Sequence, residues 1–184
     1  MKILDIKVLK GPNYWSVRRP KLIQMKLDLE EMEQKPTNTI PGFRERLEKL
    51  IPTLYEHRCS EGKPGGFFSR VEDGTWMGHV IEHIALEIQT LAGMDTGFGR
   101  TRTPEGEKQG IYYVVFSYME EDAGVYAAKA SVRIARLLWL HAPVVPAMRS
   151  QRSWGSWRLH FSAVAPGGGA IGNEPRAERC STRS

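Results

Sequence analysis

Apolar and polar residues alternate through the first ten positions, Met1-Lys2-Ile3-Leu4-Asp5-Ile6-Lys7-Val8-Leu9-Lys10. A period of two sends successive side chains to opposite sides of an extended chain, so residues 2–9 are predicted as a strand. Gly11-Pro12-Asn13 reads as a turn, after which Tyr14-Trp15-Ser16 is expected to resume an extended course. Residues 22–29 alternate less strictly and read as a second strand. After a loop at 36–42 the period changes. Phe43, Leu47, Leu50, Ile51 and Leu54 recur at helical spacing, with Pro52 placed to interrupt the helix. Residues 56–68 are a long polar, glycine-rich stretch that reads as a loop walling a site or as an exposed connector. Residues 75–91 are predicted as one helix, with Asp73 as its N-cap and Gly93 as its stop. Val80, Ile81, Ile84, Ala85, Ile88 and Leu91 supply its packing side. Residues 111–118, Ile-Tyr-Tyr-Val-Val-Phe-Ser-Tyr, form the clearest strand and a central one. A third helix is predicted over 123–138. These elements predict an α+β fold, a small mixed or antiparallel sheet packed against about three helices.

Composition separates the chain into two parts. Its 184 residues are 41% hydrophobic and 26% charged, ordinary values for a soluble domain with a real core. The formal charge of +5 is not spread evenly. Residues 1–138 hold 20 Lys and Arg against 19 Asp and Glu, whereas residues 139–184 hold 6 against 2. The body therefore has no basic stripe to hold a phosphate backbone, and no nucleic-acid partner is expected. Residues 139–184 contain three of the five tryptophans and a Val-Ala-Pro-Gly-Gly-Gly coil at 164–169, with no sustained period. They read as a divergent tail, out of frame or disordered. No apolar run approaches a membrane span, and the alternating N-terminus is unlike a signal peptide. Cys59 and Cys180 suggest no disulfide framework. The chain is read as cytoplasmic, with no membrane partner.

The candidate chemistry lies in Gly78-His79-Val80-Ile81-Glu82-His83-Ile84-Ala85-Leu86-Glu87. On a helix, His79, Glu82, His83 and Glu87 share one face. The spacing His-x-x-Glu-His is the inverted zinc-protease pattern. Two imidazoles one turn apart can grip Zn²⁺ or another divalent ion, and Glu82 is the candidate general base. A single helical histidine is more often structural, and this motif still needs a third protein ligand. Glu121, where a strand meets a helix, is the first candidate. Glu120 and the intramotif Glu87 are the alternatives. Gly97-Phe98-Gly99-Arg100-Thr101-Arg102 lacks the spacing of a nucleotide-binding loop, but its two arginines could clamp carboxylates.

Several further stretches carry a likeness. They are Leu9-Lys10-Gly11-Pro12-Asn13-Tyr14-Trp15-Ser16, Tyr55-Glu56-His57-Arg58-Cys59-Ser60-Glu61-Gly62, Gly65-Gly66-Phe67-Phe68, Gly74-Thr75-Trp76-Met77 running into the motif, Leu91-Ala92-Gly93-Met94-Asp95, and Val114-Val115-Phe116-Ser117-Tyr118. With the motif and the 97–102 stretch, they make residues 1–138 resemble the N-terminal domain of cyanophycin synthetases. The likeness stops at the tail. It implies a partner polymer, cyanophycin, with an aspartate backbone and an arginine on each side chain. It also implies a parent ligase that adds Asp and Arg with ATP and Mg²⁺ through ATP-grasp and Mur-ligase-like domains. This chain is too short to hold those domains, and it has no Gly-x-x-x-x-Gly-Lys-Ser/Thr pattern. In some members the N-terminal domain cuts the polymer into primers through a metal site, and His79, Glu82 and His83 match that site. The expectation is a domain that binds cyanophycin and hydrolyses it, with Arg58, Arg100 and Arg102 engaging carboxyl groups and Glu56 and Glu61 engaging guanidinium groups. The alternatives are a non-catalytic docking module and an inactive truncated remnant. Homo-oligomerisation is left open.

Overall fold

The computed structural model describes residues 1–18 and 21–140. The expectation for residues 141–184 of the tail lies outside the described residues. Four strands, β1 (Lys2–Lys10), β2 (Lys21–Asp28), β3 (Gly99–Arg102) and β4 (Ile111–Ser117), form one sheet in the order β1-β2-β4-β3. Every pairing is antiparallel. Four α-helices accompany it: α1 (Phe43–Leu50), α2 (Gly66–Asp73), α3 (Met77–Leu91) and α4 (Glu121–Trp139). The fold is α+β, with β4 inside the sheet.

Register decides which side chains reach the core. Ile23, Met25 and Leu27 of β2 stand opposite Phe116, Val114 and Tyr112 of β4. All six are buried, and all join the main apolar cluster with Phe67, Val80, Ile81, Ile84 and Ala127. Helices α3 and α4 cover this face of the sheet, and α3 also lies against the edge strand β3. Gln89 ties α3 to β4, its Nε2 donating to the Ser117 carbonyl at 3.2 Å. On the other face, Trp15 folds over the sheet. Its Nε1 donates to Gln24 at 2.8 Å, and its ring meets Tyr113 edge-on at 5.9 Å.

Several local expectations are revised. Residues 14–16 do not extend, because the Asn13 carboxamide oxygen accepts from the backbone of Trp15 and Ser16 and closes a turn. Pro52 ends α1 and opens a 3-10 turn, Pro52–Glu56, since the residue before a proline is driven out of the helical region. The stretch read as a long loop contains a further 3-10 turn, Cys59–Glu61, and then α2. Asp73 is thus the last residue of α2, and α3 begins at Met77 after an extended Trp76. The 97–102 stretch yields β3, an edge strand held by its ladder to β4.

Candidate metal centre

Helix α3 is buried nearly all round, polar residues included. Glu82, His83 and Glu87 are only 2%, 4% and 3% exposed. Buried polar groups need partners, and those of His83 and Glu87 come from the 56–61 segment. Its backbone is seated by Gly66, where an added Cβ would stand 2.2 Å from the Arg58 carbonyl oxygen. Cys59 takes a left-handed conformation, φ 43°, rarely adopted by residues with a side chain. That turn buries Cys59 next to α3.

The donor atoms converge. Cys59 Sγ lies 3.5 Å from His79 Nε2, and His79 Nε2 lies 3.0 Å from His83 Nε2. Ligand atoms of all three residues fall within 4.8 Å of one another. Behind them, His57 Nδ1 is 2.8 Å from His83 Nδ1, and His57 Nε2 is 2.8 Å from a Glu87 oxygen. The Thr75 hydroxyl meets His79 Nδ1 at 2.9 Å. Phe67 stacks on the His83 ring with centroids 4.1 Å apart. Two bare imidazole nitrogens facing at 3.0 Å repel unless a proton or cation lies between them. Sulfur and imidazole donors in one buried cluster suit Zn²⁺ and similar borderline-soft ions, so these residues fit a divalent metal.

Glu82 sits beside the cluster without joining it. Its carboxylate accepts from the Thr101 hydroxyl at 2.5 Å. Gly99 gives it room, since a Cβ there would come within 2.3 Å of its Oε1. Burial pushes its carboxyl up to about 7. Burial pushes the His83 imidazole down to about 3. Burial also pulls at His79, but its contact with Cys59 and the Glu82 charge outweigh that and raise it above the ordinary value.

The structure thus brings His79, His83 and, through His57, Glu87 together. It does not bring Glu121 to them. Glu121 stands exposed in the first turn of α4, where its Oε2 takes the Lys10 ammonium at 2.8 Å, and Glu120 is exposed beside it. Glu56, Arg58 and Glu61 are exposed on the segment that carries His57 and Cys59. Arg100 and Arg102 pair with Val115 and Tyr113, so they alternate with the site-facing Gly99 and Thr101. The guanidinium of Arg100 lies 5.8 Å from the Phe98 ring, and its charge still acts on Glu82. Sequence reasoning missed Cys59 and His57. Both lie in a stretch it had marked, but no local period links that stretch to α3. Among the described residues, no helix is long and apolar enough to cross a membrane.

The fold and cluster define a small α+β domain with a buried Cys/His centre. Residues 24–139 match the family described as the cyanophycin synthase-like N-terminal domain, and the chain belongs to that family. It is similar to the cyanophycin synthetase of Geminocystis herdmanii, 60% identical over 134 residues that cover 73% of this chain and 15% of that protein. The cyanophycin synthetase of a Synechocystis species is 56% identical over 138 residues, 75% of this chain and 16% of the relative. That of Crocosphaera subtropica is 57% identical over 136 residues, 74% and 15%. The matched stretch therefore spans about 15% of the length of these relatives.

Proposed function

We propose that this domain binds cyanophycin and hydrolyses its amide bonds, releasing short chains that serve as primers. The observation that carries the reading is the convergence of Cys59, His79 and His83 ligand atoms within 4.8 Å, with Glu82 buried alongside. Cys59 takes the third-ligand role that sequence reasoning gave to Glu121. A divalent metal held there supplies Lewis acidity and lowers the pKa of water. Glu82, buried beside those ligands, is the general base. It takes a proton from the attacking water as the new C–O bond forms, and returns it to the leaving nitrogen as the C–N bond breaks. Thr101 holds the carboxylate in place through its 2.5 Å hydrogen bond. The polymer carries carboxyl and guanidinium groups. Glu56, Arg58 and Glu61 engage them, and their exposure on the segment that supplies Cys59 supports this reading. Arg100 and Arg102 act from β3 on parts of the polymer farther from the cut.

The test is release of short chains from purified cyanophycin by the full chain with Zn²⁺, beside Cys59→Ser and Glu82→Gln variants. Cleavage by the wild type and by neither variant is expected. Polymer that co-sediments with all three proteins but is cut by none would overturn the hydrolase reading and leave a docking module.

A further inference from the structure

We propose that Glu87 and His57 are positioning residues that fix the tautomer of His83, leaving its Nε2 bare towards Cys59 and His79. The proposal rests on the metal site described above and explains why that site has a third histidine behind it.

The order follows from donors and acceptors. A carboxylate only accepts, so the hydrogen in the 2.8 Å contact with Glu87 sits on His57 Nε2. With His57 neutral, that one ring hydrogen leaves its Nδ1 bare. It lies 2.8 Å from His83 Nδ1, which must then carry the hydrogen and donate it. His83 Nε2 is left with a free lone pair. That nitrogen is the one 3.0 Å from His79 Nε2. Without metal, His79 Nε2 donates across this gap and its Nδ1 accepts from the Thr75 hydroxyl at 2.9 Å. Every contact from Thr75 to Glu87 then has one hydrogen and one lone pair. The reverse order would put a hydrogen on His83 Nε2, where a metal needs electrons.

The placement suits this role. His83 and Glu87 are one turn apart on α3, and His57 is inserted between them from the segment that also carries Cys59. One short stretch thus supplies a ligand from Cys59 and orients a second ligand through His57. Phe67 stacks on His83 with an interplanar angle of 24°, which holds the ring plane while the hydrogen bond sets its rotation. Partners of this kind behind a metal-ligating histidine fix its tautomer and raise its basicity.

The experiment uses the full metal-free chain. Long-range proton–nitrogen correlation spectra of the histidine rings report which nitrogen of His83 carries hydrogen, and titration with Co²⁺ reports affinity. Expected are a hydrogen on Nδ1 and a bare Nε2 in the wild type, and a mixture of tautomers in Glu87→Gln. Co²⁺ affinity is expected to fall roughly 10- to 100-fold in Glu87→Gln and in His57→Phe. The second variant keeps a ring against Phe67 but has no nitrogens. A wild-type His83 with its hydrogen on Nε2 would overturn the proposal, as would folded variants that bind Co²⁺ like the wild type. If a variant fails to fold, the wild-type tautomer still decides. A wild type that binds no Co²⁺ would sink the metal reading itself, while the tautomer separately judges the relay.

Discussion

Glu82 on α3 and Glu121 on α4 are both helical carboxylates within reach of a basic side chain, yet they live in different media. Glu82 is 2% exposed, and burial holds its carboxyl up at about 7. The Glu121 side chain is 45% exposed, and its partner Lys10 is 70% exposed. Water competes for both members of that pair, and salt screens them. Its place in the first turn of α4 complements the helix dipole. The difference teaches that residue type and helical spacing do not set how tightly a carboxyl holds its proton. Removal of water does, together with the few contacts that keep the group where it is.

The contrast breaks most sharply at Glu82. Glu82→Gln keeps the helix and the Cys59, His79 and His83 donors but removes the proposed base. Cyanophycin hydrolysis should drop by roughly 10²–10⁴-fold, while Co²⁺ affinity stays near the wild-type value. A second test crowds the carboxylate without changing it. In Gly99→Ala the new methyl meets Glu82 Oε1 at 2.3 Å and forces it off Thr101. Turnover should fall by about 100-fold at unchanged metal affinity, read from parallel rate and titration measurements.

Stability against pH gives a third view of the same burial. In the folded metal-free chain Glu82 holds its proton up to about 7, against 4.5 for an ordinary glutamate. Between those values the folded state binds the extra proton, so this group's contribution to stability falls as pH rises through the window. Gln titrates nowhere in the range. Denaturation of wild type and Glu82→Gln across pH should show the variant gaining on the wild type from pH 4.5 to 7. The gain should level off at about 3 kcal/mol. Contributions from groups that do not feel Glu82 cancel between the two proteins, while His79, which the Glu82 charge raises, shifts down in the variant. The smallest effect is expected on α4. Glu121→Gln should leave Co²⁺ affinity, turnover and the melting curve unchanged, and a loss of metal affinity there would restore Glu121 as a ligand.

Much of the scaffold was legible because it is locally written. Strands β1, β2 and β4 follow from alternation and β-branched runs, and α4 from its helical period. Helix α2 was hidden behind Gly65-Gly66, although Phe67, Phe68 and Val71 point one face inward. Strand β3 has no apolar alternation of its own, because an edge strand of Gly-Arg-Thr-Arg owes its conformation to the β4 ladder. Asp73 looked like a cap, since nothing local distinguishes a residue that opens one helix from a residue that closes another.

The sequence by itself determined that His79, Glu82, His83 and Glu87 share a face, because the helical repeat depends only on neighbours along the chain. Only the tertiary structure decided what that face meets. Cys59 joins the cluster instead of Glu121, His57 links His83 to Glu87, and Gly99 and Thr101 enclose Glu82. Each of those contacts closes a loop between distant segments. Such closure is set by core packing and sheet register, which no local spacing encodes.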